Sequence, residues 1–312
     1  LVAVVGCTAG GKTALALELA RRHGGEIVSC DSMQIYRGMD IGTAKPDEAE
    51  RAGIPHWLLD VADPTDPRGY SCADYVRDAR AAVADILARG KLPVLCGGTG
   101  LYLDAFLRGG TFEVTDTDPA LRASLAAYAA QNGAEALHRE LEAVDPESAA
   151  AIHPNNVKRV IRALEIYRTT GRRKSDLDRA SRTEDCPYRA LVIGLRYSDR
   201  RILWDRIDRR VDDMVAQGLL DEVRSLLRSG LPRTATAWQA IGYKQFLAVA
   251  DGRMTEADAV EEVKLRSRQY AKRQLTWLRR NPDIFWVRWQ RQPNFPEGLQ
   301  KATEYLHSRG LC

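Results

Sequence analysis

No run in these 312 residues approaches the roughly 18 uninterrupted apolar positions that a membrane-spanning helix needs. The apolar opening from Leu1 to Val5 is also far too short for a secretory leader, so a soluble cytosolic protein with no membrane partner is expected. The chain opens at Leu1 inside a strand-like run, and a few native residues are expected before it. No C-x-x-C pair occurs among Cys7, Cys30, Cys72, Cys96, Cys186 and Cys312, and a chain of this length needs no disulfide framework, so reduced thiols are expected. A large excess of one charge is missing too: 46 basic residues stand against 42 acidic ones, for a net charge of +4. That balance does not establish a polyanion partner unless the charge is clustered. There is no internal repeat and no long linker. With 45% hydrophobic and 28% charged residues, the composition excludes a disordered or low-complexity chain and suits one large or two modest domains.

What is present is an alternation of short strands and helices. Leu1 to Val5 is a β-branched run ending at Gly6, and Lys12 to Arg22 has helical spacing with Leu15, Ala16 and Leu19 on one side. Glu26 to Cys30, Trp57 to Val61 and Pro93 to Cys96 read as further strands, with a helix over Tyr75 to Arg89 between the last two. This order predicts an α/β fold: a parallel sheet covered by helices on both faces. After about Phe112 strand signals vanish, and Leu121–Ala130, Ala134–Ala143 and Asn156–Arg168 have helical spacing. Ala190 to Leu195 resumes the sheet, long helical patterns run to Arg280, and Ile284 to Trp289 is a late strand. An all-helical subdomain over 113–187 is therefore expected within a core of 1–112 and 188–312, with the return near Thr183–Pro187.

Gly6-Cys7-Thr8-Ala9-Gly10-Gly11-Lys12-Thr13 matches G-x-x-x-x-G-K-[ST] and lies between a strand and a helix, as a P-loop must. Such a loop wraps a phosphate in backbone N–H groups, the helix N-terminus adds its dipole, Lys12 supplies a charge, and Thr13 can ligate Mg²⁺. The motif alone does not say which phosphate compound is held. Asp31, at the end of the second strand, opens onto the same edge of a parallel sheet; general base, magnesium ligand and turn cap all remain open for it. Gly97-Gly98-Thr99-Gly100 ends the fourth strand there too, and permits either close approach by a ligand or a plain tight turn. No strand ends in a convincing Walker-B aspartate other than Asp31 or Asp60, which counts against an ATP-hydrolysing machine. A small-molecule kinase stays open, with Arg206, Arg209 and Arg210 as lid candidates.

Positive charge concentrates late in the chain. Between Val260 and Arg280 lie Lys264, Arg266, Arg268, Lys272, Arg273, Arg279 and Arg280. At 100° per residue, Lys264, Arg268, Lys272 and Arg279 fall within about 80° of arc. Tyr270 and Trp277 are interleaved with them, a combination suited to RNA phosphates and bases, although a solvated outer face is the plain alternative. Lys158, Arg159, Arg162, Arg168, Arg172, Arg173 and Lys174 form a second cluster in the insertion, and two basic surfaces favour a large polyanion over a small metabolite.

Seven ordered segments, GCTAGGKT, DSMQIYRGMDIGTAKP, IPHWLLDV, GGTGLYL, DPESAAAIHPNNVKRVIRALEIY, AIGYKQ and RQYAKRQLTWLR, closely resemble the bacterial tRNA dimethylallyltransferases from Val2 to about Trp289. The resemblance implies a P-loop NTPase-like core that transfers a dimethylallyl group from dimethylallyl diphosphate to the exocyclic amino nitrogen of the adenosine 3′ of the anticodon. It implies Mg²⁺ as cofactor, pyrophosphate as product, and no consumption of nucleoside triphosphate. Action as a monomer on the tRNA anticodon stem-loop is expected. Adenylate isopentenyltransferase, acting on a free nucleotide, is the rival within the superfamily.

By the same resemblance Asp31 is the general base and Thr8 hydrogen-bonds the bridging oxygen of the departing diphosphate. Diphosphate binding falls to Gly11, Lys12 and Thr13 within the loop that also includes Gly6, Ala9 and Gly10, and to an arginine of the following core helix, Arg206 or Arg210. tRNA contacts map to Asp31, Ser32, Met33, Gln34 and Thr99; to Arg122, Lys158, Arg159 and Arg162; to Trp238, Gln239, Ile241, Gly242 and Tyr243; and to Arg268, Lys272, Arg273, Trp277 and Arg280. Cys7 stands where the family usually has proline and Gly10 where serine or alanine is common. Neither position supplies a catalytic side chain, so only the stiffness of the loop is affected.

Overall fold

The structure is a computed structural model that describes residues 1–107, 118–180, 188–290 and 293–311. The contacts divide the chain into two compact units, Leu1–Leu107 with Tyr188–Cys312, and Arg108–Pro187. The boundary expected between 112 and 113, the return at Thr183–Pro187, and Cys186 and Cys312 lie outside the described residues. Cys7, Cys30, Cys72 and Cys96 are free thiols.

The larger unit is built on a six-stranded sheet: β1 (Val2–Gly6), β2 (Gly25–Cys30), β3 (His56–Trp57), β4 (Leu92–Gly97), β5 (Leu191–Tyr197) and β6 (Phe285–Trp289). Their order is β3-β2-β4-β1-β5-β6, and every pairing is parallel. Helices α1 (Lys12–Arg22), α2 (Glu48–Arg51), α3 (Cys72–Ala88), α4 (Gly100–Leu107), α10 (Arg200–Ala216), α11 (Leu219–Arg228), α12 (Tyr243–Ala250), α13 (Glu256–Leu278) and α14 (Phe295–Ser308) flank it. Strands covered on both faces are apolar throughout, which is why β1 is fully buried along its length. The core around the sheet joins Val2, Val4, Leu15, Leu19, Ile193 and Trp289. A second core of Ile35, Met39, Trp238, Tyr243 and Phe246 binds α11 and α12 to the loop that follows β2.

Register positions the site. Cys30 pairs with Gly97, Val5 pairs with Gly97 on the other side, and Gly6 pairs with Leu195. The P-loop, Asp31 and the Gly97–Gly100 turn therefore all leave the same edge of the sheet. The expected strand over Trp57–Val61 shrinks to His56–Trp57, because Leu58 and Asp60 adopt left-handed backbone conformations (φ 63° and 58°) that no strand accommodates. The chain turns there so that Asp60 reaches the buried Lys45 ammonium, which also bonds Asp40 and the Tyr36 carbonyl.

The smaller unit is all-helical over its described residues: α5 (Pro119–Asn132), α6 (Ala134–Val144), α7 (Pro146–Ala151), α8 (Val157–Thr170) and α9 (Lys174–Ala180). Leu125, Leu137, Leu141, Val160 and Leu164 form its core. Among the described residues no helix is long and apolar enough to cross a membrane.

Glu26, at the start of β2, is 2% exposed and accepts hydrogen bonds from Arg89, Lys91 and the Trp57 indole. The Arg89 bonds, with help from Lys91 and Trp57, hold its carboxyl far below the usual carboxylate range. A depressed folded-state pKa stabilises above the unfolded value, about 4.3, and the contribution is lost as pH falls below it. Glu26→Ala is therefore expected to cost about 2–3 kcal/mol at pH 7, somewhat less than a fully buried broken pair because both cations are partly solvated. Urea titrations of parent and variant at pH 7 and pH 3 should show the gap narrowing in acid.

Candidate active site

The P-loop is bent by two left-handed residues, Ala9 (φ 56°) and Gly11 (φ 87°), which turn the chain so that α1 begins at Lys12. Two distant elements hold that shape. The Gln274 side chain from α13 accepts the Thr8 N–H at 2.9 Å and donates to the Gly98 carbonyl at 2.9 Å. The Trp289 indole at the end of β6 donates to the Gly10 carbonyl at 3.0 Å, and a Cβ on Gly11 would meet the Phe295 ring at 3.4 Å. Lys12 extends its ammonium to the Cys7 carbonyl at 2.8 Å. Burial pulls that ammonium below its ordinary pKa, the Arg210 charge adds to the effect, and Asp31 opposes it.

A cavity of about 370 Å³ opens beside this loop. Thr8, Lys12, Thr13 and Asp31 line it, and Ile207, Val211 and Met214, on one face of α10, supply apolar lining. Ser32, Met33, Gln34, Gln239 and Ile241 border it, as do Tyr270, Arg273 and Gln274 from one face of α13. Arg210 lines both this cavity and a second one, about 450 Å³, which the P-loop also borders and which Arg206 and Arg209 line. Its Nη2 donates to the Thr43 carbonyl at 3.4 Å, while its buried Nε has no partner. Burial lowers the Arg210 pKa and Asp31 opposes the shift. Arg206 donates to the Ala9 carbonyl at 3.3 Å and rests over the Tyr197 ring.

Asp31 caps its own turn: one carboxylate oxygen accepts the Met33 N–H at 2.9 Å and the Gln34 N–H at 3.4 Å. The other oxygen has no protein partner among the described residues, so capping and cavity-facing chemistry coexist in one side chain. The Thr99 hydroxyl accepts the Ser32 N–H at 3.1 Å. Burial together with the Asp31 charge pushes the Tyr270 phenol up to about 12, so it stays neutral near pH 7. The glycines after β4 serve close packing: a Cβ on Gly98 would lie 2.3 Å from Gln274 Nε2, and one on Gly100 would lie 2.3 Å from the Trp277 ring.

The other expected RNA-contact residues fall into three groups. Lys158 and Arg159 are exposed on α8, and Lys272, Arg273 and Arg280 are exposed on or just beyond α13, with Arg273 over Tyr270 and Arg280 over the half-buried Trp277. Arg122 and Arg162 are instead engaged by Glu165, a carboxylate with no solvent exposure. Arg268 bonds Asp208 and Lys264 bonds Asp212, so half of the expected basic stripe faces α10 and is neutralised there. Trp238 and Tyr243 are buried, the first donating to the Pro232 carbonyl and the second to Glu222, and neither offers a ring to a ligand. Gly242 is also buried, with φ 97° at the start of α12.

Three positioning residues escaped the sequence reading. Gln274 and Trp289 hold the P-loop, and Glu222 on α11 accepts the N–H groups of Asp40, Ile41 and Gly42, fixing the loop that borders the cavity through Gly42, Thr43 and Ala44. A polar residue on the inward face of a helix was the available signal for Gln274. The Trp289 and Glu222 contacts leave no local pattern.

For a hard divalent cation the cavity presents the Thr13 hydroxyl and the unpartnered oxygen of Asp31. No group of three metal-ligating side chains occurs among the described residues. One or two protein oxygens completed by phosphate oxygens and water is the set that suits Mg²⁺, so these residues fit it.

The sequence model described as IPP transferase matches residues 34–281, and one described as isopentenyl transferase matches residues 1–65. The chain belongs to the IPP transferase family. Within the family it is 48% identical over 306 residues to the tRNA dimethylallyltransferase of Geobacillus thermodenitrificans, covering 98% of this chain and 96% of that protein. It is 47% identical over 310 residues to that of Bacillus subtilis, covering 99% and 96%. Among solved structures it is similar to the full-length tRNA isopentenylpyrophosphate transferase of Bacillus halodurans, with a TM-score of 0.72, 42% identity, and coverage of 99% of this chain and 95% of that one. A eukaryotic dimethylallyltransferase acting on tRNA gives a TM-score of 0.80 at 29% identity, covering 100% of this chain and 79% of that one. The family resemblance read from the seven segments is thus correct, as is the parallel sheet flanked by helices.

Replacing Gln274 by leucine leaves the Thr8 N–H and the Gly98 carbonyl unpaired in this IPP transferase. Such a loss is expected to cost about 1–3 kcal/mol. Urea denaturation measures it, and an unchanged midpoint would show that the loop does not depend on this amide.

Proposed function

We propose that this chain is a tRNA dimethylallyltransferase that moves a dimethylallyl group from dimethylallyl diphosphate to the exocyclic amino nitrogen of the adenosine 3′ of the anticodon. One observation carries the reading: a single cavity combines P-loop residues, an unpartnered oxygen of Asp31 and apolar lining from α10. The diphosphate suits the loop amides with Lys12, Thr13 and Arg210, whose orphaned Nε gains a partner when an anion is present. The five-carbon group suits Ile207, Val211 and Met214, where burying it contributes about 0.8 kcal/mol per CH₂.

In the reaction the amino nitrogen attacks the allylic carbon, a C–N bond forms, and the C–O bond to diphosphate breaks. The adenine nitrogen is a poor nucleophile because its lone pair is delocalised into the ring, so Asp31 accepts its proton as the bond forms. Negative charge that accumulates on the leaving diphosphate meets the P-loop amides, Lys12, Arg210 and the Thr8 side chain. Mg²⁺, held by Thr13 and diphosphate oxygens, would neutralise part of that charge. The target base must leave the anticodon-loop stack, which costs a few kcal/mol and is offset by contacts to flanking nucleotides. Exposed Lys158, Arg159, Lys272 and Arg273 are suited to the phosphate backbone. Action as a monomer in the cytoplasm completes the reading.

Incubation with radiolabelled dimethylallyl diphosphate and either unmodified tRNA or AMP tests the assignment. Label is expected in tRNA; label in AMP would indicate a free-nucleotide transferase, and label in neither would remove the reading. Asp31→Ala is expected to lower turnover at least ~100-fold, in line with general-base contributions, with tRNA affinity nearly unchanged in a filter-binding assay. Parental turnover in that variant would exclude the base role.

A further inference from the structure

A second cationic groove lies outside the catalytic cavity and shares no lining residue with it. It measures about 320 Å³ and runs between the end of β5, the start of α10 and the last turns of α13, lined by Arg196, Ser198, Arg200, Leu275 and Arg279 among others. Arg196 is directly opposite Arg288 in the β5–β6 register, so two guanidinium groups project from neighbouring strands on the same side of the sheet. Like charges placed opposite each other across a strand pair are unfavourable unless an anion lies between them. No carboxylate partner of Arg196, Arg279 or Arg288 occurs among the described residues. The acid lining the groove, Asp199, is committed as the α10 N-cap, accepting the Arg201 N–H at 2.8 Å.

Arg196 has a buried Nε with no hydrogen-bond partner, and its guanidinium lies over the Trp286 ring, 5.3 Å from the centroid. Burial lowers its pKa, and the charges of Arg288 and Arg279 add to the shift, so both cations lie close enough to be felt. The arrangement differs from that of Lys264 and Arg268 on α13, the helix that Arg279 ends, each of which has an aspartate from α10. Arg279 is also exposed seven residues beyond the exposed Lys272, about 10 Å along the helix axis. Two cations at that separation lie farther apart than one small anion spans and suit successive phosphates of a polynucleotide better.

We propose that Arg196, Arg279 and Arg288 bind a backbone phosphate of the RNA substrate away from the reacting nucleotide. The inference rests on the tRNA reading above and deepens it, because binding energy gained far from the chemistry helps to offset base extrusion. The test uses the full chain and an unmodified tRNA transcript in filter binding between 50 and 300 mM salt. In Arg279→Gln/Arg288→Gln, two exposed positions whose loss leaves the core intact, affinity at 100 mM salt is expected to fall roughly 5–20-fold, with the log–log salt slope flattened by about 1–2 as phosphate contacts disappear. Arg279→Lys/Arg288→Lys should recover most of that slope, and the KM for dimethylallyl diphosphate should match the parent in both variants. An unchanged slope in the glutamine variant overturns the site. So does protection of the parent alone by inorganic phosphate in thermal melts, when tRNA affinity is the same in parent and variant, since the groove then serves a small anion. Absence of dimethylallyl transfer by the parent would defeat the reaction reading separately, because the salt slope is measured on binding alone.

Discussion

A P-loop can cradle an anion only while its backbone N–H groups converge, and in this protein that convergence is enforced from outside the loop. Gln274 reaches in from α13 to grip the Thr8 amide, and Trp289 reaches in from β6 to grip the Gly10 carbonyl. Both are buried residues more than 260 positions away in sequence. The same Gln274 amide ties the loop to Gly98, at the end of the neighbouring strand, so the cradle and the turn beside Asp31 are joined by one side chain. A rigid anion site next to a positioned carboxylate follows, which is preorganisation in the sense that the dipoles already point where charge will develop.

Electrostatics divides the arginines and lysines into distinct classes. Arg122, Arg162, Lys264 and Arg268 are neutralised by carboxylates of their own unit, and in Glu165 the two guanidinium groups compensate a charge that burial alone would make costly. Arg210 is different: it is half-buried against the cavity with a buried, unused Nε donor, an arrangement that makes sense when the missing partner arrives with a ligand. Exposed Lys272 and Arg273 form a third class, available to a polyanion at little desolvation cost. Counting basic residues along α13 does not separate these classes, since the sorting depends on which helix lies opposite.

Much of the site was legible because its signals are local. A β-branched run, a glycine turn with Lys12-Thr13, and a helix occur within 22 residues, and strand–helix alternation places Asp31 and Gly97 on the same edge. The errors have specific causes. A helical wheel reports a face of α13 but not its neighbour, so the aspartates of α10 that absorb Lys264 and Arg268 were invisible. Trp238 and Tyr243 entered the RNA-contact set through the resemblance alone, which says nothing of their burial against α11, and the strand over Trp57–Val61 fails at two left-handed residues, Leu58 and Asp60, the second of which pairs with Lys45.

Composition, periodicity and motif spacing were sufficient to determine a parallel α/β sheet, a phosphate loop and a carboxylate at the same edge, because each depends on backbone geometry over a few consecutive residues. Which side chains lock that loop, which cations are already paired and which guanidinium is left facing a cavity were decided only in three dimensions. Those properties belong to pairs of residues brought together by packing, and desolvation acts on the pair rather than on either residue's place in the chain.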